Sequence, residues 1–299
     1  MEIGAQTNVP LRHALVVVTG ASTGIGAATA RELGGRGFHV LAGVRRDVDG
    51  DAIRSANVEP RRLDITNEGD IAMLVKRIAD DPERRPIRAL VNNAGIQINA
   101  PVEAMPLSEW RQLFEVNLFG HVAMTQALLP MLIESRGTVV NVSSVGGKVA
   151  MAGYGAYAGS KFALEAVSDA LRREVADFGV KVVVIEPGAV TTEMTGRLVI
   201  ASERITRGMS AEHRGRYGAL MHAVIAQAQR FTREGAGLPA EEAAGVIADA
   251  IISERPRTRS TVGRDAAIIV RLARWVSDRM LDSILARALK RELPKAILS

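Results

Sequence analysis

The sequence contains no cysteine, and only 4% of its 299 residues are aromatic. The absence of cysteine excludes disulfides, cysteine nucleophiles and thiolate metal sites, and it is typical of a reducing cytoplasm. The first residues, MEIGAQTNVPLRH, lack the charged start, apolar middle and small-residue cleavage site of a secretory signal. No uncharged run reaches the length of about 20 residues that is usual for a transmembrane helix. We therefore expect a soluble, cytoplasmic protein without a metal site.

The basic residues form no continuous patch, although the formal net charge is +5. Arginines are scattered singly or in pairs such as Arg45-Arg46 and Arg61-Arg62, and no aromatic residues accompany them in a stripe. A surface that binds nucleic acid concentrates its cations on one face. The pattern therefore favours a solvated surface and no nucleic-acid partner.

Short, β-branched apolar runs alternate with helical patterns along most of the chain. Such alternation predicts βαβ units and one doubly wound α/β domain with a parallel sheet of about seven strands flanked by helices. The predicted strands are Ala14 to Thr19, Phe38 to Gly43, Glu59 to Leu63, Arg88 to Val91, Gly137 to Ser143, Val180 to Ile185 and Thr258 to Val262. The predicted helices are Ile25 to Arg36, Glu68 to Ala79, Ser108 to Glu134, Ala156 to Phe178 and Ala240 to Ser253.

Two segments fall outside this alternation. The excursion 191–238, after the sixth predicted strand, is expected to form a helical substrate lid at the carboxyl edge of the sheet. Its apolar residues either line a pocket or pack internally: Met194, Leu198, Ile200, Met209, Leu220, Met221 and Phe231. Residues 1–263 would then form the catalytic domain, and 264–299 an amphipathic helical extension. The extension is expected to pack on the domain or a partner subunit, with contact to a membrane surface as the less favoured alternative.

A glycine-rich turn, Thr19 to Gly26 (TGASTGIG), joins the first strand to the first helix. Glycines there let the backbone turn sharply and approach a pyrophosphate, whose charge the amides and dipole of the helix start favour. The spacing Gly-x3-Gly-x-Gly departs from the commoner Gly-x-Gly-x-x-Gly. Alone, the turn leaves open a purely structural role.

Further motifs follow in a fixed order. They are Leu63 to Thr66 (LDIT), Asn92 to Gly95 (NNAG), Asn117, Ser143-Ser144, Tyr157-x3-Lys161 and Pro187-Gly188. With the glycine turn, they resemble the short-chain dehydrogenases/reductases, in the short, non-extended branch, from about Leu15 to Thr195. The resemblance implies a Rossmann-type domain and cofactor contacts from Gly20, Ser22, Thr23, Gly24, Ile25, Gly26, Asp64, Ile65, Asn93, Ala94, Gly95, Tyr157, Lys161, Pro187, Gly188, Val190 and Thr192. It also implies that Asp64 contacts the adenine region and that Thr192 binds the nicotinamide carboxamide, for which Thr191 is an alternative.

The end of the second predicted strand indicates which nicotinamide cofactor is bound. NAD-specific enzymes place there a carboxylate that binds both ribose hydroxyls and repels a 2′-phosphate. In this sequence the aligned residue is Val44, and Arg45 and Arg46 follow it. Guanidinium groups suit a phosphate dianion, so we predict a preference for NADP(H) over NAD(H). NAD is the alternative, for two reasons. Arg46 can simply be exposed to solvent, and the carboxylates of Asp47 and Asp49 lie nearby in the sequence.

The predicted catalytic residues are Ser144, Tyr157, Lys161 and Asn117. Tyr157 and Lys161 share one helical face, about one turn apart. Because a free tyrosine has a pKa near 10, its use as general acid/base near neutrality needs a nearby cation such as Lys161. Ser144 would hold the substrate oxygen beside Tyr157. By the resemblance, Asn117 anchors a water that connects Lys161 to solvent; the alternative is that it only caps or bends its helix.

Local stretches such as 89–96 and 178–188 resemble the retinol and hydroxysteroid dehydrogenase-type members most. This implies hydride transfer between NADP(H) and an alcohol or carbonyl compound that is bulky and apolar, of steroid, retinoid or long-chain type. The family usually pairs through the long helices predicted at Ser108 to Glu134 and Ala156 to Phe178, which implies a homodimer or homotetramer. The alternatives are a catalytically silent NADP-sensing or scaffold protein, and epimerisation or dehydration on the same scaffold.

Overall fold

The computed structural model describes residues 13–230 and 237–293. Its seven strands form one parallel sheet in the order β3-β2-β1-β4-β5-β6-β7. The strands are β1 Leu15–Val18, β2 His39–Val44, β3 Val58–Arg62, β4 Ile87–Asn92, β5 Thr138–Val142, β6 Lys181–Pro187 and β7 Arg259–Val262. The predicted doubly wound sheet is confirmed.

Helices cover both faces of the sheet. They are α1 Gly24–Gly35, α2 Asp47–Asp51, α3 Glu68–Ala79, α4 Leu107–Phe114, α5 Gly120–Ser135, α6 Gly155–Glu174, α7 Glu193–Gly208, α8 Ala211–Arg230, α9 Ala240–Ile252, α10 Arg264–Trp275 and α11 Asp278–Lys290. The short turns are a π-helical turn Glu115–Phe119 and two 3₁₀ turns, Val145–Gly147 and Ala176–Phe178.

Two apolar layers hold the helices on the sheet, because alternate residues of each strand point to opposite faces. Val16 and Val18 belong to the layer beneath α1 and α9. Leu15 and Val17 belong to the layer beneath α3 and α5. All four are fully buried, which explains why the strand sequences are apolar throughout rather than alternating.

The structure corrects two local predictions and adds one element. The helix predicted from Ser108 to Glu134 is interrupted by the π-helical turn Glu115–Phe119. The helix predicted from Ala156 to Phe178 ends at Glu174 and continues as a 3₁₀ turn. The five-residue α2 was not predicted, because a sequence as polar as DVDGD carries no apolar periodicity.

The described part of the excursion 191–238 contains helices α7 and α8, and a parallel bridge between Val190 and Leu238 closes its base. Residues 231–236, with Phe231 among the predicted lid residues, lie outside the described part of the chain. The stretch Leu107–Ser135 is long and apolar enough to cross a membrane by length and composition. In this fold, however, its residues Met124, Leu128 and Leu132 pack against the sheet as part of the core.

Candidate active site

A cavity of about 1740 Å³ lies at the carboxyl ends of the strands. It spans the point where the strand order reverses between β1 and β4, the usual ligand position in an open α/β sheet. The predicted site residues that line it are Gly20, Ser22, Thr23, Gly24, Ile25, Arg45, Asp64, Ile65, Asn93, Ala94, Gly95, Ser144, Tyr157, Lys161, Pro187, Gly188, Val190 and Thr192. Three others, Gly26, Arg46 and Asn117, are absent from this lining.

The glycine turn is shaped to let a ligand approach the start of α1. Gly20 and Gly24 have positive φ angles of 63° and 56°, which only glycine adopts readily. A Cβ at Gly20 would lie 2.7 Å from Ala94 Cα, and one at Gly24 would lie 3.0 Å from Thr192 Cγ2. A side chain at either position would therefore narrow the cavity at the helix N-terminus, where a pyrophosphate is favoured.

Gly26 has a structural role behind this turn. A Cβ there would lie 2.3 Å from the Gly20 carbonyl oxygen and 2.5 Å from Asn93 Nδ2. The Asn93 amide donates to the carbonyl oxygens of Thr19 (3.0 Å) and Gly20 (3.1 Å). Thr19 Oγ1 in turn accepts hydrogen bonds from the backbone amides of Asn93 and Ala94, each at 3.0 Å. The turn after β1 is thus fastened to the end of β4.

The two arginines that follow β2 have different surroundings. Arg45 is exposed and lines the cavity. Arg46 instead donates two hydrogen bonds to Asp49, at 2.9 and 2.6 Å, outside the cavity. Asp64, across the same end of the cavity, accepts from Thr66 N and Thr66 Oγ1. Of the two predicted phosphate partners, the geometry therefore favours Arg45.

The segment after β6 contributes Pro187, Gly188, Val190 and Thr192 to the cavity wall. A Cβ at Gly188 would lie 2.8 Å from Cβ of Ala266, which belongs to the first turn of α10. The predicted C-terminal extension thus forms part of the cavity wall, and residues Arg264 to Ala267 and Ile269 line it.

Tyr157 and Ser144 meet between the ends of β5 and the start of α6. Both line the cavity, and Tyr157 is 8% exposed. Burial raises the pKa of the Tyr157 hydroxyl, and a side-chain hydrogen bond with Ser144 opposes that rise. A Cβ at Gly146 would lie 3.0 Å from Tyr157 Cε1 and 3.4 Å from Ser144 Oγ, so this glycine leaves room for the pair.

Lys161 is a buried cation one helical turn beyond Tyr157. Its Nζ donates to the Val142 carbonyl oxygen at 2.9 Å, and the residue is 4% exposed. Burial lowers the pKa of the Lys161 ammonium to about 8, against the opposing field of the Glu165 carboxylate. Lys161 thus remains charged near neutrality but titrates only slightly above it.

Asn117 lies in the π-helical turn and contacts protein groups with both ends of its amide. Oδ1 accepts from Ile96 N, and Nδ2 donates to Ile96 O, each at 2.9 Å. Nδ2 also donates to Ser160 Oγ at 3.1 Å. The π-turn therefore ties the long helix to α6 and to the strand-end segment after Gly95, beside the Lys161 side chain. Such turns within α-helices are frequent at functional sites.

The sequence-based prediction missed His121, which is buried beside this set. Its Nε2 lies 2.6 Å from the Ala94 carbonyl oxygen, while Nδ1 has no hydrogen-bond partner in the described structure. Burial, with the field of Lys161, lowers the pKa of His121 to about 3. The neutral ring must therefore carry its proton on Nε2 in order to donate to Ala94. The sequence feature that could have revealed His121 is its position four residues after Asn117, which puts both residues on the same helical face.

A group of charges behind the catalytic loop, made of two buried carboxylates and two partly exposed cations, was also missed. Lys148 Nζ lies 2.7 Å from Glu165 and 3.5 Å from Glu186. Arg259 of β7 contacts the same two carboxylates, at 3.0 and 3.6 Å. This network joins the segment after Ser144 to α6, β6 and β7. Its members are far apart in sequence, so only the fold brings them together.

The cavity also has an apolar portion next to Tyr157. Its walls include Ile96, Ile98, Met151, Leu198 and Ala201. Of the predicted lid residues, Met194 and Leu198 line the cavity. Met209 and Met221 are instead buried in the core beneath the lid, and Leu220 packs against it. Ile200 is 66% exposed. Met209, Leu220, Met221 and Ile200 therefore pack internally or face solvent and do not line the cavity.

The fold and the cavity are typical of a dinucleotide-binding protein, and comparison with known proteins specifies the family. The family model for the short chain dehydrogenases matches residues 14–202. The chain belongs to this family, and it is an NAD(P)-dependent oxidoreductase that acts on CH–OH groups.

Two relatives support the predicted subgroup. The chain is 34% identical over 282 residues to 17-beta-hydroxysteroid dehydrogenase type 6 from Rattus norvegicus, with 92% of this chain and 89% of the relative covered. It is 33% identical over 281 residues to retinol dehydrogenase 16 from Homo sapiens, with 92% and 88% covered. The resemblance to retinol and hydroxysteroid dehydrogenase-type members is thus confirmed.

Two solved structures share the fold. A short chain dehydrogenase from Burkholderia cenocepacia in complex with NADP has a TM-score of 0.70 and 26% identity, with 92% of this chain and 97% of that chain covered. A short chain dehydrogenase/reductase from Burkholderia phymatum in complex with NAD has a TM-score of 0.73 and 22% identity, with 87% and 92% covered. The fold is therefore compatible with either cofactor.

Proposed function

We propose that this enzyme interconverts a bulky, apolar alcohol and its carbonyl form with NADP(H), using Tyr157 as the general acid/base. The observation that carries the proposal is the convergence of Ser144, Tyr157 and Lys161 on one cavity that has apolar residues packed beside Tyr157 and Arg45 in its lining. The glycine turn, the walls at Asp64 and Thr192, and the start of α1 fit a dinucleotide between these two regions. Bound NADP(H) supplies or accepts the hydride, and the protein positions the substrate and handles the proton.

Proton transfer is assigned to Tyr157 because its hydroxyl is buried, adjoins Ser144 and opens into the cavity. With its pKa raised by burial, Tyr157 is protonated at neutral pH and is ready to donate to an oxygen that gains negative charge during carbonyl reduction. Ser144 donates to the same oxygen and stabilises that charge. For alcohol oxidation the ammonium of Lys161 favours the tyrosinate.

Asn117 acts as a positioning residue in this proposal. Its amide fixes the backbone of Ile96 and the Ser160 hydroxyl, and both adjoin the Tyr157–Lys161 face. A Cβ at Gly95 would lie 3.4 Å from Asn117 Oδ1 and 3.9 Å from Lys161 Nζ, so the two groups border the same small space. A water in that space would connect Lys161 to solvent, as in the role inferred from the family.

The preference for NADP(H) is supported by the charges around the end of β2. Val44 offers no carboxylate to a ribose, and Arg45 lines the cavity. Arg197 of the lid lines the same cavity. The pKa of the Asp49 carboxyl is lowered mainly by its hydrogen bonds with Arg46 and to a smaller extent by the charge of Arg197, so Arg197 lies near this end of β2. Two guanidinium groups from different elements thus flank the expected position of a 2′-phosphate.

The substrate class is supported by the apolar wall and by the relatives. Ile96, Ile98, Met151 and Ala201 line the cavity and belong to the same apolar cluster as the Tyr157 ring. Two relatives with high coverage are a hydroxysteroid and a retinol dehydrogenase by name. A steroid, retinoid or long-chain carbonyl compound fits both observations.

The test follows reduced-nicotinamide absorbance with NADPH or NADH against a panel of steroid, retinoid, aliphatic and sugar carbonyls. We expect NADPH to be preferred and the bulky apolar carbonyls to be turned over best. Arg45→Ala should raise the KM for NADPH about 10-fold or more while leaving NADH nearly unchanged, since a charge-assisted phosphate contact is lost. Arg46→Ala is the matched control and should have the smaller effect. NADH outperforming NADPH throughout would refute the cofactor assignment, and turnover of sugars alone would refute the substrate class.

A further inference from the structure

The outer faces of α10 and α11 carry exposed apolar side chains in a helical repeat. On α10, Ile268, Leu272 and Trp275 are spaced i, i+4 and i+7, and they are 55%, 36% and 83% exposed. On α11, Met280 and Ile284 are four residues apart and 56% and 38% exposed. These five residues are called the outer stripe below. A tryptophan exposed to this degree gains nothing from packing in the described structure.

The inner faces of the same helices account for their attachment to the domain. Ala266 is buried against Gly188, and Leu289 packs on the apolar cluster that contains Met221 and Val224 of α8. Arg230 of α8 forms an ion pair with Glu292 just beyond α11. The helices are thus held from one side, and the outer stripe faces away from those contacts. The domain itself does not cover it.

Cations accompany the outer stripe and have no acidic partner. Seven basic residues lie between positions 264 and 291, and all are exposed: Arg264, Arg271, Arg274, Arg279, Arg287, Lys290 and Arg291. Within residues 13–230 and 237–293, none of them forms an ion pair, although arginines elsewhere in the molecule commonly do. On α11, Asp278 and Asp282 each lie two residues from Met280, on the other side of the helix. On α10, Asp265 lies three residues before Ile268, on the side of the stripe. With seven basic residues against these three acidic ones, the net charge beside the stripe is positive.

We infer that α10 and α11 dock the enzyme on an anionic phospholipid surface, with the outer stripe in the headgroup and acyl boundary and the arginines on the lipid phosphates. Amphipathic helices with tryptophan on the apolar face and arginine at the polar margin bind at such interfaces. A second copy of this chain paired through the same two helices would bring seven further unpaired cations, and each copy offers only Asp265, Asp278 and Asp282 between positions 264 and 291 to match them. The anionic surface supplies both an apolar layer and the opposite charge.

This inference extends the proposed function, because α10 also forms part of the cavity wall. Its residues Ala267 and Ile269 line the cavity that contains Tyr157. A water-insoluble substrate could therefore enter from the surface that the helix touches. Docking itself is independent of the reaction, so lipid binding and turnover can fail separately.

The experiment is flotation of the full-length protein with vesicles of phosphatidylcholine alone or mixed with phosphatidylglycerol, without substrate. We expect flotation only with the mixed vesicles, and release by high salt. Trp275→Glu and the double substitution Arg271→Glu with Arg274→Glu should each lower the bound fraction about tenfold or more. The matched controls are Met73→Glu on α3 and Arg255→Glu with Arg257→Glu, which make the same changes at exposed sites elsewhere.

Circular dichroism and turnover of a soluble carbonyl compound check that each variant is folded. Failure of the wild type to float with mixed vesicles, or variants that float as well as the wild type, would overturn the inference. The inference would also be overturned if the wild type does not bind vesicles and Trp275→Glu converts a dimer into a monomer. The stripe would then be covered by a second copy of the chain. A wild type that floats normally but turns over none of the carbonyl compounds would instead count against the proposed function alone.

Discussion

Lys161 provides the charge on which the proposed proton chemistry depends. Its pKa is lowered to about 8, first by burial and in spite of Glu165. His121, whose own pKa is held near 3, adds no positive charge near neutrality. Lys161 is thus the buried cation next to Tyr157, and its charge declines within a pH range accessible to assay.

We expect kcat/KM for carbonyl reduction to be flat below pH 8 and to fall above it as Lys161 loses its proton. Tyr157 remains protonated over this range, because burial raises its pKa. The measurement is a pH profile of initial rates. Lys161→Arg is the control, since a guanidinium keeps its charge: its activity should be lower but free of the alkaline decline. An identical decline in both proteins would show that another group titrates.

His121 makes the stability of the fold sensitive to acid. Its pKa falls from 6.5 to about 3 on folding, so the neutral ring stabilises the native state fully above pH 6.5. That contribution is lost as the pH falls from 6.5 towards 3. The melting temperature of the wild type should therefore decrease between pH 7 and pH 5 more steeply than that of His121→Gln, which can donate to Ala94 but does not titrate. Parallel slopes would contradict this role.

At the scale of elements, the 3₁₀ turn Val145–Gly147 follows directly after Ser144 and is held by Lys148. That side chain joins two buried carboxylates, Glu165 and Glu186, and burial together with Glu165 raises the pKa of Glu186. Arg259 contacts the same pair. The segment after Ser144 is thus attached by charges to α6, β6 and β7.

Lys148→Met should lower the free energy of unfolding by up to about 3 kcal/mol, which is the low end of the cost of breaking a buried ion pair. We expect the low end because Arg259 still neutralises part of the charge of the two carboxylates. The measurement is denaturant unfolding. Lys76→Met removes an exposed pair with Asp80 and is the control, with an expected loss below about 1 kcal/mol. Equal losses in the two variants would show that the buried network adds no stability.

The elements that could be predicted from the sequence are those that depend on interactions between residues close together in the chain. Strands such as Leu15–Val18 are continuous apolar runs, and the glycine turn and the Tyr157–Lys161 spacing are contained in short segments. The π-helical turn at Asn117 could not be predicted, because it results from the bonds that Asn117 makes with Ile96 and Ser160. The same holds for the separation of Arg45 from Arg46, which depends on where Asp49 lies after folding.

At the scale of the whole molecule, exposed apolar residues lie on the helices expected to form the subunit interface. Phe119 is 54% exposed in the π-turn before α5, and Phe162 and Val167 of α6 are 44% and 38% exposed. The homodimer or homotetramer that the family resemblance implies stays a prediction, and the exposure of these residues in one chain leaves an apolar surface for a partner.

Phe162→Glu should shift the protein towards the monomer, because a charge would be buried in the interface. Sedimentation velocity measures the change, and Met73→Glu, at a site on α3 that is 60% exposed, should leave the assembly intact. A wild type that sediments as a monomer at assay concentrations would contradict the predicted assembly.

The central claim, that Tyr157 transfers the proton in an NADP(H)-dependent reaction, is tested most directly by Tyr157→Phe. The substitution removes one hydroxyl and keeps the ring that packs beside Gly146. We predict that NADPH binding, measured by fluorescence titration, stays nearly intact while turnover falls about 100- to 10,000-fold. A variant that binds NADPH and retains most of its turnover would contradict the claim.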